Sequence, residues 1–315
     1  MTRKIIIDCD PGIDDAVAIS IALFDPRVEV VAITATAGRI DADRSTSNVH
    51  ALVSRLDPAK YPRIGAAQSI ENAAVETDLE LHGPDGLAGC NFETSDRQHQ
   101  IASDKVIGDL LRQFPNQVSL VCLGPLTNVA RAFQRDPSLE QIVDRIIISG
   151  GSVSHGGNIT PSAEFNMYFD PTAARSVFHS ATTKSLLPLD VSENVEFGLE
   201  LIDGLPPRYS RAGDLLHRLL PFAFRAQHQK MGREVIPLYD PVALFAALEP
   251  DLFEWQEMAG DVEVAGELTR GQTVFDRRNQ RSWRCNMEVA TAVDESELKS
   301  QIVRGLRYAG QQTMP

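Results

Sequence analysis

Short runs rich in Ile and Val recur along this chain, and longer stretches whose apolar residues follow a helical period separate them. Continuous apolar runs of this kind belong to strands covered on both faces, and crossover helices join such strands in parallel. The pattern predicts an α/β fold with a mostly parallel, open, twisted sheet flanked by helices around a Rossmann-like core. Predicted strands are Lys4–Asp8, Val28–Ala35, Val118–Leu123, Arg145–Ser149 and Lys184–Leu189. Predicted helices lie near Asp14–Leu23, Ala42–Leu56, Ser103–Phe114 and Leu126–Gln134. Further along, Leu215–Lys230, Pro241–Leu248 and Glu295–Tyr308 read as helices, and Val262–Ala265 and Arg281–Val289 as late strands. The polar, glycine-rich stretch from Gly83 to Asp104 reads as a long loop over the sheet edge, where binding residues are often carried. Pro206-Pro207 marks a loop and not a boundary, so residues 1–315 are taken as one domain.

A formal charge of −13 gives no basic footprint for a phosphate backbone, which argues against nucleic acid as a partner. The first residues lack the apolar stretch and cleavage site of a secretory signal, and no run reaches membrane-spanning length, so the expectation is a cytoplasmic protein without a membrane partner. Cys9, Cys90, Cys122 and Cys285 are widely scattered, which fits reduced packing residues better than a disulfide framework or zinc site.

The segment Ile5-Ile6-Ile7-Asp8-Cys9-Asp10-Pro11-Gly12-Ile13-Asp14-Asp15-Ala16 places four carboxylates within eight residues directly after a buried strand. Like charges at close range raise one another's pKa unless donors or a cation offset them. Open α/β sheets bind ligands beyond the carboxyl ends of their strands, and Pro11-Gly12 turns the chain there. Asp14 and Asp15 then enter the first turn of a helix, where one of them can equally serve as an N-cap. If the cluster holds a metal, all-oxygen ligation favours calcium or magnesium over zinc.

The stretch from Asp8 to Ala16 resembles the N-terminal motif of the inosine–uridine-preferring nucleoside hydrolases. Leu123-Gly124-Pro125-Leu126-Thr127-Asn128, Gly150-Gly151, Gly157-Asn158-Ile159-Thr160-Pro161, Ala163-Glu164-Phe165-Asn166 and Asp240-Pro241 follow in that family's order and approximate spacing, over nearly the whole chain. The resemblance implies hydrolysis of the N-glycosidic bond of a ribonucleoside or related N-riboside. It implies Ca2+ held by Asp10, Asp15, Asp240 and the backbone carbonyl of Leu123, with Asp10 as the base that activates water. It places Asp14, Asn158, Glu164 and Asn166 on the ribose, with Phe165 in the same substrate-binding block, and implies a homodimer or homotetramer. The chemistry agrees, because breaking an N-riboside builds positive charge on the sugar, which surrounding carboxylates stabilise.

Two positions depart from the family's pattern. Arg39 follows Ala37-Gly38 where the family usually has Asn, so a fixed positive charge pairs with a site carboxylate, meets an anionic substrate group or silences the site. Tyr239 precedes Asp240 where many members have a His linked to protonating the leaving base; tyrosine is a weaker acid at neutral pH but still hydrogen-bonds or stacks on a base. His82 matches a family His near the substrate and is the other candidate for leaving-group assistance, or else an ordinary loop His. Arg225, His228 and Gln229 either face the leaving base or form a solvated helix face. Two rival readings remain: a ribose- or nucleoside-binding protein with weakened catalysis, and a magnesium-dependent phosphohydrolase with Asp8 as nucleophile. The second lacks the Thr expected soon after Asp10.

Overall fold

The computed structural model describes residues 2–70, 79–93, 100–280 and 282–315. The chain lays down β1 (Arg3–Cys9), β2 (Val28–Ala35), β3 (Arg63–Gly65), β4 (Val118–Cys122), β5 (Arg145–Ser149) and β6 (Lys184–Leu187). Together with two late strands they form an eight-stranded sheet ordered β3-β2-β1-β4-β5-β6, then Met287–Val293, then Phe253–Met258. Neighbouring strands run parallel except at the far edge, where Phe253–Met258 pairs antiparallel with Met287–Val293.

Alternation along β1 explains how one strand serves two cores. Ile5, Ile7 and Cys9 join the cluster that includes α1 (Ile13–Ala22), α2 (Ala42–Leu56) and the helices Arg211–Met231, Tyr239–Leu248 and Glu295–Gln312. Ile6 points the other way, into a cluster with the helices Ser103–Gln113, Thr127–Arg135 and Pro171–His179. Both faces are therefore covered, which is why the strands read as unbroken apolar runs. All ten residues of α1 are buried, including Asp14 and Asp15, because helices pack over it on the side away from the sheet.

The strand order sets the position of the site. From β1 the chain proceeds through β2 to β3 on one side, and β4 then returns to pair on the other. The direction reverses between β1 and β4, which leaves a crevice at the carboxyl ends of those two strands. Asp10 lies just past the end of one and Leu123 just past the end of the other.

Several boundaries differ from the sequence-based expectation. β6 stops at Leu187 because Pro188 follows, and Leu189–Ser192 forms a single helical turn. The late strand expected over Arg281–Val289 is Met287–Val293; Arg281 lies outside the described residues, and the polar stretch before Met287 is loop. The strand expected over Val262–Ala265 is Gly260–Val262, paired with Thr273–Phe275 in a separate two-stranded ribbon. Within the expected loop from Gly83 to Asp104, Asp85 organises the turn by accepting the Leu87, Gly89 and Asn91 N–H groups, Ser103 and Asp104 already belong to a helix, and residues 94–99 lie outside the description. Cys9 and Cys122 are buried packing residues and Cys90 packs against the core, but Cys285 is exposed, a correction that follows from its place in the polar loop. Among the described residues no helix is long and apolar enough to cross a membrane.

Candidate active site

The chain leaves β1 at Cys9, turns at Pro11-Gly12 and enters α1 at Ile13. Asp15 accepts the Gly12 N–H through Oδ2 at 2.8 Å, closing the first turn of the helix. Its other oxygen, Oδ1, is buried without a hydrogen-bond partner, as is Oδ1 of Asp14. Asp240 arrives from the first turn of Tyr239–Leu248, a helix packed against α1. One ligand atom from each of Asp14, Asp15 and Asp240 lies within 4.8 Å of the others.

Asp10 lines the same pocket as these three, together with Leu123, Asn158, Glu164 and Asn166. It is not part of the tight trio. One reason is that its Oδ2 accepts the Arg39 backbone N–H at 2.8 Å. Two glycines wedge its carboxylate in place: a Cβ on Gly38 would fall 2.1 Å from Oδ2, and one on Gly124 2.5 Å from Oδ1. The Gly of the Ala37-Gly38 and Leu123-Gly124-Pro125 turns is thus a requirement of Asp10's position.

Burial sets the electrostatics. Desolvation pushes Asp10 up to about 7, opposed by the Arg39 charge and amide. Asp15 and Asp240 are also raised well above the ordinary carboxylate range, by burial first and by their carboxylate neighbours second. Burial alone would lower the Arg39 guanidinium, but Asp14, Asp10, Asp240 and Asp15 together hold it above its ordinary value. Arg39 also rests over the Phe165 ring, 4.8 Å from its centroid. The guanidinium is thus in the field of four carboxylates, while the contacts that fix the residue are its backbone N–H to Asp10 and the Phe165 ring.

Four buried carboxylates offset only by the Gly12 and Arg39 N–H groups and the Arg39 charge form a costly arrangement, and the two orphaned oxygens of Asp14 and Asp15 are those that a cation would satisfy. The donors are all oxygens, which suits a hard divalent ion. By this test the residues fit a metal. The trio brought closest contains Asp14, whereas the resemblance points to Asp10, Asp15, Asp240 and Leu123; all five residues line one pocket.

On the opposite wall each polar side chain is fixed through one of its groups. Asn158 accepts the Phe165 N–H at 2.9 Å through Oδ1, which leaves its amide NH2 to donate. Glu164 caps the short helix Phe165–Phe169, and its Oε2 accepts the Gly151 and Met167 N–H groups. Asn166 donates from Nδ2 to the carbonyls of Leu123 and Ser149, which leaves Oδ1 as its acceptor. The wall therefore presents donors and acceptors at set positions, as recognition of adjacent hydroxyls requires.

Beside this pocket opens a cavity of about 710 Å³ that shares Asp14, Arg39, Asn158 and Tyr239 with it. His82 lies on its rim. Nδ1 accepts the Ile13 N–H at 3.2 Å, which in the neutral ring puts the proton on Nε2, and Nδ1 stands 3.8 Å from Asp14 Oδ1. Tyr239 donates its hydroxyl proton to Glu193 Oε1 at 2.6 Å. Burial and the Glu193 charge raise its pKa further, which makes it a poor acid for a departing base. The cavity uses Ala223, Gln227 and Met231 of the long helix. Arg225, His228 and Gln229 are exposed and absent from the cavity lining, since they project from a different face of the helix. Sequence reasoning missed Glu193 and Arg233, which follow the helical turn Leu189–Ser192 and the long helix without a local motif. Asp8 is fully buried, outside the pocket, and accepts from Thr34 and Asn128, so it has no access to a phosphate ester and the phosphohydrolase reading fails.

An open α/β sheet with buried carboxylates at its reversal point and fixed polar side chains in the same pocket is the arrangement of a glycosyl hydrolase of the nucleoside hydrolase kind. Structural comparison agrees: a plant nucleoside hydrolase superposes with a TM-score of 0.89 at 29% identity, covering 98% of this chain and 99% of that one. A purine-preferring ribonucleoside hydrolase from Gardnerella vaginalis gives 0.90 at 25% identity, covering 99% of each. The sequence model of the inosine-uridine preferring nucleoside hydrolases matches residues 5–300, and the chain belongs to that family. Relatives include a pyrimidine-specific ribonucleoside hydrolase, RihA, of Shewanella baltica, 33% identical over 98% of this chain and 97% of that protein. The non-specific ribonucleoside hydrolase RihC of Salmonella enteritidis is 33% identical over 97% of this chain and 98% of its own length.

Proposed function

We propose that this protein hydrolyses the N-glycosidic bond of ribonucleosides, with the ribose over the carboxylates where their pocket meets the adjoining cavity and the base within that cavity. The observation that carries this reading is the shared boundary: the pocket of Asp10, Asp14, Asp15 and Asp240 opens directly onto a cavity large enough for a heterocycle. Names borne by the relatives support a ribonucleoside as the substrate class.

Asp15, Asp240, Asp10 and the Leu123 carbonyl would hold calcium, with Asp14 turned to the ribose or joining the ligands. Bound there, the ion would anchor sugar hydroxyls and make water more acidic. Asp10 takes the proton from the attacking water; its fixed carboxylate needs no reorientation to do so. Asn158, Glu164 and Asn166 orient the sugar, and Phe165 supports Arg39 at its edge. Negative charge on this side of the ring stabilises the cation-like transition state more than the neutral nucleoside. His82 and Tyr239 both line the base cavity as hydrogen-bonding candidates for the departing base, whose proton is supplied by solvent. A homodimer or homotetramer acting in the cytoplasm completes the reading.

The test is a panel of purine, pyrimidine and modified ribonucleosides incubated with calcium-loaded protein, with released reducing sugar as the readout. Sugar release from at least one ribonucleoside is expected. Binding without release from any of them would favour the nucleoside-binding alternative.

A further inference from the structure

Among the described residues, the polar lining of the large cavity includes three linked side chains that the sugar chemistry does not use. Glu193 follows the helical turn Leu189–Ser192, Arg233 follows the long helix, and Tyr239 opens the helix that carries Asp240. The Tyr239 hydroxyl is a donor to Glu193 Oε1 at 2.6 Å. Glu193 Oε2 stands 3.8 Å from the Arg233 guanidinium, which also pairs with Glu196. A phenol has one proton, so a tyrosine whose proton is held by a carboxylate offers only lone pairs on its other side.

Resting on the nucleoside reading above, we infer that Glu193 is a positioning residue: it fixes Tyr239 as a hydrogen-bond acceptor and thereby selects bases that present an N–H group to that edge of the cavity. Tyr239 touches the base, and Glu193 acts through it. Tyr239 shares the boundary between sugar pocket and cavity, so a base attached to a seated ribose must pass beside it. A base without an N–H leaves the Tyr239 lone pairs unsatisfied in a half-buried site, and mismatches of that kind are discriminated strongly.

The experiment compares kcat/KM for two pairs of ribosides, uridine against pyrimidin-2-one riboside and inosine against purine riboside. In each pair the second base lacks the ring N–H of the first. Intrinsic leaving ability differs within a pair but is common to all variants, so the informative quantity is how the ratio changes on mutation. Glu193→Ala should lower the preference for the N–H base about fivefold or more, because the freed hydroxyl can now donate into the cavity. Glu193→Gln should restore it, since its amide oxygen still accepts the Tyr239 proton. Tyr239→Phe should lower the preference by itself, and adding Glu193→Ala to Tyr239→Phe should change it no further. An unchanged ratio in Glu193→Ala or Tyr239→Phe, or an equal effect of Glu193→Ala with and without the Tyr239 hydroxyl, would overturn the inference. A wild type that cleaves ribosides of bases without an N–H but neither uridine nor inosine would also overturn it, whereas no sugar release from any ribonucleoside of the panel would instead count against the proposed activity, so the two failures are distinguishable.

Discussion

Arg39 brings a fixed positive charge within reach of Asp14, Asp10, Asp240 and Asp15 while its guanidinium rests over Phe165. That charge acts in opposite senses on the two states of the site. Without a metal it offsets repulsion among buried carboxylates; with one it competes for the same negative field. Arg39→Asn is therefore expected to bind calcium about tenfold more tightly or better, read by isothermal titration. The same variant in EDTA should be less stable than wild type by about 1 kcal/mol or more, read by thermal or urea unfolding. Calcium affinity that is unchanged or weaker would show that Arg39 does not oppose the cation.

At the scale of elements, the site depends on how closely the turns after β1, β2 and β4 approach one another. Gly124 and Gly38 press on the two sides of the Asp10 carboxylate, with no room for a Cβ on either. Gly124→Ala must push Asp10 or the turn aside, so kcat/KM should fall about 10- to 100-fold while the protein remains folded. Near-normal kinetics in that variant would mean that Asp10's placement tolerates a shift. The sequence disclosed the central strands well because burial on both faces leaves a continuous apolar run, as in Val28–Ala35 and Arg145–Ser149. It hid Phe253–Met258 for the opposite reason: on this edge strand only Phe253 and Met258 are buried, so the run Phe-Glu-Trp-Gln-Glu-Met carries no such signal. The acidic turn and the polar wall were legible through their motifs. The Tyr239–Glu193 contact was not, because the partners lie 46 positions apart and meet only through the turn after β6.

For the whole molecule, the buried carboxylates link stability to pH and to metal. An Asp in the unfolded chain loses its proton near 3.8, whereas burial lets Asp10 keep it to about 7, and Asp15 and Asp240 shift in the same direction. Between those values the folded chain binds protons that the unfolded chain has released, so stability falls as pH rises through this window. Calcium-depleted protein should thus melt at a lower temperature at pH 8 than at pH 5. Saturating calcium should raise the melting temperature more at pH 8 than at pH 5, because ligation requires ionised carboxylates. A calcium effect independent of pH would argue against these carboxylates as its ligands.

The central claim is that Asp10, held rigidly beside the other acids, is the base that prepares water to attack the sugar. Its most direct test is kcat of Asp10→Asn on the best ribonucleoside of the panel, measured beside the variant's melting temperature. The account predicts a loss of about 10³-fold with a melting temperature close to or above that of wild type, since the amide keeps the size and removes a buried charge. A kcat near the wild-type value in a folded Asp10→Asn protein would contradict it.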